Sequence, residues 1–169
     1  MEKKYKLTEE TIKVGDKTLY RIESLKDFGA VKKGDKGGYI ENESNLTQSG
    51  DCWVYDKAKV YDNAKVYGRA IVCGNAQVYD NAKVCGNAGI YGNAKIYGDA
   101  KVYGNAWVYD YAQVYDNTIV SETAIVRDNA IVYGAAIICG YAIVRDNAKV
   151  YGTAVVCDNA DVFWNTEVC

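Results

Sequence analysis

Histidine and proline are absent from this 169-residue sequence, and only two phenylalanines stand against sixteen tyrosines. Histidine is the only side chain that titrates near neutral pH without help from its surroundings. Its absence removes the residue that enzymes use most often as a general base. A phenol ring prefers to keep its hydroxyl end in water, so the excess of tyrosine over phenylalanine is typical of a surface.

Strong charge and long apolar runs are also absent. The formal net charge is −2, which predicts neither a nucleic-acid partner nor an acidic membrane surface. The start, MEKKYKLTEET, lacks the apolar core of a signal peptide, and no run is long enough to cross a bilayer. We therefore expect a cytoplasmic protein whose six cysteines are free thiols rather than a disulfide framework.

A six-residue repeat fills the sequence from residue 52 to residue 169. Every sixth residue from Val54 to Val168 is Val or Ile, and Ala stands two places before it in seventeen of the twenty copies. The register never slips, so this stretch contains no insertion. A fixed period predicts a solenoid, because each repeat must bury its apolar face against the next.

The pattern within each hexad predicts a short strand followed by a bend. In residues 100–105, AKVYGN, the side chains of Ala and Val point to one side and those of Lys and Tyr to the other. The following Gly, Asp or Asn tolerates the left-handed conformation that a corner needs. Bends at equal intervals wrap the chain into a prism with Val and Ala inside, but the period alone does not give the number of sides or the hand.

The repeat resembles the hexapeptide-repeat left-handed parallel β-helix family, whose members include acyltransferases, over residues 52–169. That resemblance implies an all-β triangular solenoid with three hexads, or eighteen residues, in each coil and six to seven coils in the chain. With strands about 4.8 Å apart, the prism would be roughly 30 Å tall.

Residues 1–51 differ from the repeat and form the second predicted unit. The stretch IKVGDKTLYRI predicts two strands around a Gly-Asp turn. Because a solenoid exposes unpaired strand edges at its ends, we expect residues 1–51 to form a small β cap over the first coil. The segment LKDFGAVKKGDKGGYIENESNL ahead of the repeats is similar to uncharacterised hexapeptide-repeat proteins of phages and gut bacteria, which implies a phage or prophage setting.

If coils contain eighteen residues, one column of the repeat carries tyrosine in six consecutive coils. Lys59 and Lys95 belong to the neighbouring outward column, which is mostly Lys and Gln. This tyrosine ladder can be a docking surface for a protein partner, since tyrosine offers a large contact area at low entropic cost. It can equally be a scaffold, because stacked aromatics stabilise neighbouring strands. Its members are Tyr61, Tyr79, Tyr97, Tyr115, Tyr133 and Tyr151.

The outward position between Ala and Val changes along the chain. It is mostly Lys, Gln or Trp in the early coils and becomes aliphatic from residue 119. Exposed apolar surface often marks association, so this aliphatic belt predicts a homo-oligomer, a dimer or a trimer; the alternative is that β-branched residues merely suit strands. The belt consists of Ile119, Ile125, Ile131, Ile137, Ile143 and Val155.

The resemblance raises the question of catalysis. Acyltransferases of this superfamily commonly use a histidine base, and the carbon dioxide hydratases hold zinc with three histidines; this sequence has none. Carboxylates such as Asp62, Asp80 and Asp116 recur at a corner, where turn chemistry explains them. The unbroken register provides no loop for a substrate pocket. We predict no catalytic residue, no metal site and no cofactor.

Cysteine replaces tyrosine at several outward positions. Cys139 and Cys157 are eighteen residues apart, so we expect them to be neighbours on adjacent coils that oxidation could join, although thiols are expected in the cytoplasm. Zinc sites favour close pairs of the C-x-x-C type, and none occurs here.

The sequence therefore predicts a non-enzymatic, rigid β-solenoid that acts as a binding scaffold for a protein partner. The phage setting suggests a protein that binds and inhibits a host defence factor in the bacterial cytoplasm. The competing hypothesis is an acyltransferase-like enzyme, or a degenerate and inactive relative of one.

Overall fold

A computed structural model describes residues 2–169 of the protein. Three longer strands come first: β1 (Tyr5–Val14), β2 (Lys17–Ser24) and β3 (Lys36–Ile40), followed by a short 3-10 helix, Glu43–Asn45. Strands β1 and β2 form an antiparallel hairpin, and β2 pairs antiparallel with β3. The predicted hairpin around Gly15 is confirmed, and Gly15 turns the chain with a φ of 60°.

Twenty two-residue strands follow, one in each hexad. Each inner strand pairs in parallel with the strands eighteen residues before and after it, as Lys95 does with Gln77 and Gln113. Their bounds are β4 Trp53–Val54, β5 Lys59–Val60, β6 Lys65–Val66, β7 Ile71–Val72, β8 Gln77–Val78, β9 Lys83–Val84, β10 Gly89–Ile90, β11 Lys95–Ile96, β12 Lys101–Val102, β13 Trp107–Val108, β14 Gln113–Val114, β15 Ile119–Val120, β16 Ile125–Val126, β17 Ile131–Val132, β18 Ile137–Ile138, β19 Ile143–Val144, β20 Lys149–Val150, β21 Val155–Val156, β22 Asp161–Val162 and β23 Glu167–Val168.

These strands form three parallel stacks, which give the prism three faces. The tryptophan face contains β4, β7, β10, β13, β16, β19 and β22; the tyrosine face contains β5, β8, β11, β14, β17, β20 and β23; the cysteine face contains β6, β9, β12, β15, β18 and β21. We number the coils from residue 52 in steps of eighteen, so coil 1 is residues 52–69 and coil 7 is the partial turn 160–169.

The core is a column of small and branched apolar side chains. The repeated Ala and Val or Ile positions are fully buried through coils 1 to 6, apart from slight exposure of Ala154 and Val156 at the distal end. Thr118 replaces one alanine, and its hydroxyl donates to the carbonyl oxygen of Tyr115 at 2.6 Å. Buried hydroxyls need such a partner, so the core accepts this exception without an unpaired polar group.

The corners explain why Asp alternates with Gly in the repeat. Gly98 has a φ of 66°, and Asp80 reaches a φ of 55° at the equivalent corner one coil earlier. The Asp80 carboxylate then accepts a hydrogen bond from the Gly98 amide at 3.0 Å. Asp116 accepts in the same way from Gly134 at 3.1 Å. The carboxylates at this corner therefore have a structural role, which agrees with the turn chemistry predicted for them.

The cap covers the first coil and joins the solenoid before residue 52. Strand β3 pairs in parallel with β5, which places Ile40 next to Val60, and Leu46 forms a parallel bridge with Val66. Over the tryptophan face, the rings of Tyr5 and Phe28 pack edge-on against Trp53, with centroids 6.0 and 5.3 Å away. Apolar burial therefore holds the cap on the first coil.

A buried lysine also ties the cap to coil 1. The Lys4 ammonium donates to the carbonyl oxygens of Cys52 at 2.9 Å and Gly50 at 3.2 Å, and it lies 3.4 Å from the Cys52 sulfur. It also sits 4.9 Å from the centre of the Phe28 ring. Burial lowers the pKa of this amine, because desolvation disfavours the charged form.

The architecture confirms the predicted fold class. The protein is an all-β solenoid of parallel stacked strands, with eighteen residues in each coil. The six complete coils and one partial coil agree with the six to seven that the family resemblance implies. Within residues 2–169 there is no α-helix.

Candidate functional site

The tyrosine ladder forms a continuous stack on the tyrosine face. The ring centroids of Tyr61 and Tyr79 are 5.1 Å apart, and those of Tyr97 and Tyr115 are 4.7 Å apart. All five neighbouring pairs are stacked, with interplanar angles between 2° and 12°. Eighteen-residue coils place each ring on the strand above the last, so the ladder follows directly from the period.

The cap covers the first ring of the ladder. Tyr61 is only 8% exposed and packs with Leu19 and Tyr39 of the cap. The cap therefore covers the outer side of Tyr61, one of the predicted binding residues, and the binding role of the ladder stays a prediction. Tyr79 also touches this cluster but stays half-buried, so the accessible ladder begins there.

Stacking decides what the ladder can offer a partner. Each inner ring has its two faces against its neighbours, as Tyr97 does between Tyr79 and Tyr115. A partner therefore meets ring edges and hydroxyl groups rather than open ring faces. Burial raises the pKa of Tyr79 and of Tyr97 to about 12, so both hydroxyls remain hydrogen-bond donors throughout the neutral range.

A shallow groove runs beside the ladder on the same face. Its volume is about 670 Å³. The side chains of Lys59, Gln77, Lys95 and Gln113 line it along the strands. Its far wall is a column of corner residues, Asn75, Asn93, Tyr111, Asn129 and Asn147. The groove thus presents amide and ammonium groups at intervals of about 4.8 Å, the spacing of neighbouring strands.

Hydrogen bonds link the ladder to this groove. The Tyr61 hydroxyl donates to the Gln77 side-chain oxygen at 3.3 Å, and the Tyr97 hydroxyl donates to that of Gln113 at 3.4 Å. These bonds use the side-chain oxygens of the two glutamines and not their amide nitrogens. Lys149 at the distal end of the groove pairs with Glu167 at 3.1 Å, so Lys59 and Lys95 are the groove cations that a partner can use.

The predicted aliphatic belt is divided among all three faces. Ile119, Ile137 and Val155 lie on the cysteine face, in strands β15, β18 and β21. Ile125 and Ile143 lie on the tryptophan face, and Ile131 lies on the tyrosine face. One flat partner cannot contact all six residues. Self-association remains a prediction, and any interface must use one face at a time.

Two predicted neighbours on the cysteine face are joined. Cys139 and Cys157 form a disulfide between coils 5 and 6, with their Cα atoms 4.5 Å apart. The prediction of adjacency is confirmed, whereas the expectation of free thiols is wrong for this pair in the structure. Cys52, Cys73, Cys85 and Cys169 are free.

Sequence reasoning missed a second aromatic cluster, on the tryptophan face. Trp107 is 48% exposed, and the Tyr91 ring lies 5.7 Å from it. Tyr91 covers Gly89, where an added Cβ would come within 3 Å of two ring carbons and the hydroxyl oxygen of Tyr91. The sequence did contain a signal for this cluster. Gly89 breaks an outward column of larger side chains, and Trp107 stands next to it in the following coil.

No cluster of metal ligands accompanies these surfaces. Among residues 2–169, no group of three or more Cys, Asp or Glu side chains is arranged to hold a metal ion. Over the same described residues, no helix has the length and apolar character of a membrane span.

Comparisons with known proteins agree with the solenoid. A family model described as the YdcK beta solenoid repeat matches residues 94–110. The protein named "Uncharacterized acetyltransferase YdcK" from Escherichia coli (strain K12) is 44% identical over 39 residues, which cover 23% of this chain. The match spans only 12% of that relative's length. The repeat and the stacked sheets make the chain a β-solenoid, and both matches agree with that fold.

Proposed function

We propose that the protein is a non-enzymatic, rigid scaffold that binds an extended, acidic segment of a partner protein along the groove of the tyrosine face. The observation that carries the proposal is the continuous groove, in which Lys59 and Lys95 alternate with Gln77 and Gln113 along the strands. Aspartate and glutamate are absent from its lining, so its charge is positive. Lys59 and Lys95 are two coils apart, about 9.6 Å, which an extended segment crosses in about three residues at about 3.3 Å each.

Rigidity favours such binding. Every face is a parallel sheet whose strands are bonded above and below, and the ladder rings are already stacked before any partner arrives. A surface that is ordered in advance loses little entropy on association. The tyrosine hydroxyls and glutamine amides would then supply directional hydrogen bonds along the groove.

A protein partner suits this face better than a nucleic acid. Sequence-tolerant binding of single strands depends on bases stacking on open aromatic faces. Here the inner rings, such as Tyr97 and Tyr115, use their faces on one another. The net charge of −2 also gives no general attraction for phosphates.

The identity of the partner is the less direct part of the proposal. The resemblance of residues 1–51 to phage and gut-bacterial proteins suggests a host factor, such as a defence protein, that the solenoid would bind and block in the bacterial cytoplasm. The cytoplasm would keep most disulfides reduced, so trapping of thiols in living cells reports the compartment. A Cys139–Cys157 pair found oxidised under those conditions would contradict the cytoplasmic location.

The second candidate function is acyl transfer, which the match to a protein named as an acetyltransferase favours. The absence of histidine from the sequence removes the usual base of such enzymes in the superfamily. A thermal-shift measurement with acetyl-CoA separates the two hypotheses, since a ligand that binds the native state raises its melting temperature. A clear shift together with turnover would refute the non-enzymatic proposal.

The groove is tested with a fluorescent polyglutamate peptide, followed by anisotropy. We expect the double variant Lys59→Glu, Lys95→Glu to lose most of the binding. The matched control is Lys65→Glu, Lys83→Glu, which changes the same strand position on the cysteine face and should bind as the wild type does. Pull-downs from a bacterial lysate with both variants extend the test to natural partners. Equal binding by the two double variants would mean that the groove is not the site.

A further inference from the structure

The tryptophan face presents a different surface from the other two. Its middle outward column is apolar through coils 2 to 6, whereas the cysteine face begins with Lys65, Lys83 and Lys101, and the tyrosine face alternates Lys with Gln. The column consists of Ile71, Gly89 with Tyr91 folded over it, Trp107, Ile125 and Ile143. A continuous apolar strip of this kind on a soluble protein marks a contact surface.

In the first coil, the cap of the same chain covers this face. Trp53 stands at the same position as Trp107, three coils earlier, and is only 1% exposed. The rings of Tyr5 and Phe28 pack edge-on against it. Trp107 offers the same indole surface without a cover from its own chain, and Tyr91 forms one side of the slot beside it.

A second outward column on this face indicates which side chains a partner surface must present. Next to the apolar strip, coils 3 and 4 present Tyr91 and Tyr109, and coils 5 and 6 present Arg127 and Arg145. Arg145 is also paired with Asp161 at 3.0 Å and lies 4.7 Å from the centre of the Phe163 ring. Guanidinium groups pack favourably on tyrosine rings. The column is therefore complementary to itself when its direction is reversed, because each tyrosine then meets an arginine.

From these features we propose that the tryptophan face is a self-association surface on which a second copy of this chain docks antiparallel. A two-fold axis between coils 4 and 5 places Trp107 of each copy against Ile125 of the other. The same axis brings Tyr109 opposite Arg127, and Tyr91 opposite Arg145. The inference does not rest on partner binding at the tyrosine face, which stays open in such a dimer.

The shape of the cap selects the antiparallel arrangement. A parallel pair would force the two caps together over Trp53. In the antiparallel register, the cap of one copy lies beyond coil 7 of the other.

The area of the tryptophan face sets the expected affinity of the dimer. Coils 2 to 7 span about 24 Å, and each strand side is about 15 Å wide. The contact therefore covers roughly 400 Å² on each copy, about half of what each partner of a standard interface buries. We expect a reversible dimer with a dissociation constant in the micromolar range.

Analytical ultracentrifugation from well below to well above micromolar concentration tests the proposal. Wild-type protein should pass from monomer to dimer, and Trp107→Lys should weaken dimerisation at least about thirtyfold, as the loss of a central aromatic anchor does. The matched control is Ile137→Lys, an outward position of coil 5 on the cysteine face, which should dimerise as the wild type does. A monomer at all concentrations, a trimer, or a dimer that survives Trp107→Lys would overturn the proposal.

Disulfide trapping tests the orientation, in a background with Cys73→Ser to remove the native thiol of this face. A copy with Trp107→Cys should crosslink to a copy with Ile125→Cys when the two are mixed and oxidised. Ile143→Cys should not crosslink to itself, because the two-fold axis places the two sites about three coils apart. Self-crosslinking at residue 143 without the mixed product would show a parallel pair and refute the antiparallel geometry.

Discussion

The two ends of the solenoid are stabilised in different ways. At coil 1, the cap buries Trp53 and Tyr61 under aromatic and aliphatic side chains. Toward coil 7, the added links lie on the surface: the Cys139–Cys157 disulfide, the bidentate pair of Arg145 with Asp161 at 3.0 Å, and Lys149 with Glu167. The first end depends on excluding water, and the second depends on covalent and electrostatic cross-links between coils.

The two ends of the solenoid should therefore lose stability in response to different changes, although the core between them is regular. Apolar burial responds to the loss of volume and little to salt or redox potential. Exposed ion pairs are screened by salt, and disulfides respond to reductant. We therefore expect the proximal coils to be sensitive to substitution and the distal coils to solution conditions.

The largest expected effect compares the two tryptophans of one face. Trp53→Ala should lower the free energy of unfolding by about 3–5 kcal/mol, because it empties a buried aromatic site under the cap. Trp107→Ala should cost less than about 0.5 kcal/mol at concentrations where the protein is monomeric. Urea denaturation of both variants measures the difference. Equal losses would show that the cap contributes little to stability.

The disulfide gives the next largest effect. Its cysteines are 18 residues apart, and closing a loop of that size is worth about 3 kcal/mol. Cys139→Ser, or reduction of the wild type, should lower the stability by about this amount. Cys73→Ser removes a free, half-buried thiol and serves as the control. Losses of similar size in both variants would contradict the cross-link as the cause.

Alkaline pH should lower the stability that the tyrosine ladder provides. The ladder runs from coil 1, under the cap, to coil 6. The folded-state pKa values of Tyr61, Tyr79 and Tyr97 are raised to about 12 by burial. The unfolded chain releases these protons near pH 10, so the stabilisation is complete below pH 10 and is lost as the pH rises toward 12. Tyr79→Phe, Tyr97→Phe should flatten this dependence, as denaturation followed against pH would show. An unchanged slope would contradict the assignment to the ladder.

Removing one ring of the ladder should have a smaller effect. Tyr97→Ser breaks two stacked pairs, each worth about 0.2–1 kcal/mol. Tyr103→Ser removes a more exposed ring on the cysteine face and should cost less. If Tyr97→Ser weakens binding of the acidic peptide more than it lowers the melting temperature, the ladder takes part in binding. A change in melting alone would identify it as scaffold.

The exposed ion pairs should give the smallest effect. In 1 M salt, where charges are screened within about 3 Å, the amides of β22 and β23 should exchange with solvent faster, while those of β4 and β5 should not. Arg145→Gln should produce the same local loss at low salt. Hydrogen exchange measured by NMR resolves the two ends. Equal acceleration at both would remove the proposed difference between them.

The repeat was predictable from sequence because a period of six leaves one solution for the inward side chains. The columns of the ladder followed as soon as eighteen residues were assigned to a coil. Contacts outside the period were not predictable. Nothing in the spacing of Tyr5 and Phe28 announces that both rings pack on Trp53.

The candidate surfaces were also predictable only where they follow the period. The period placed Tyr61 in the ladder but could not show that Leu19 covers it. It placed the isoleucines outward and marked Gly89 as a break in its column, but it could not show that the Tyr91 ring lies above this glycine. Side-chain directions and the path of the cap come from packing between distant parts of the chain, which a local pattern does not encode.

The constant register also restricts how the gene can change. Deleting or duplicating eighteen residues, such as 88–105, would shorten or lengthen the prism by one coil and leave every column in line. Deleting six residues would keep every alanine and valine inside, because the core pattern repeats at six. It would also rotate all later coils by one face, so tyrosines beyond the deletion would continue on a different side. Such a protein could fold normally and still lose its binding surfaces, so selection on these surfaces would appear as indels in multiples of eighteen.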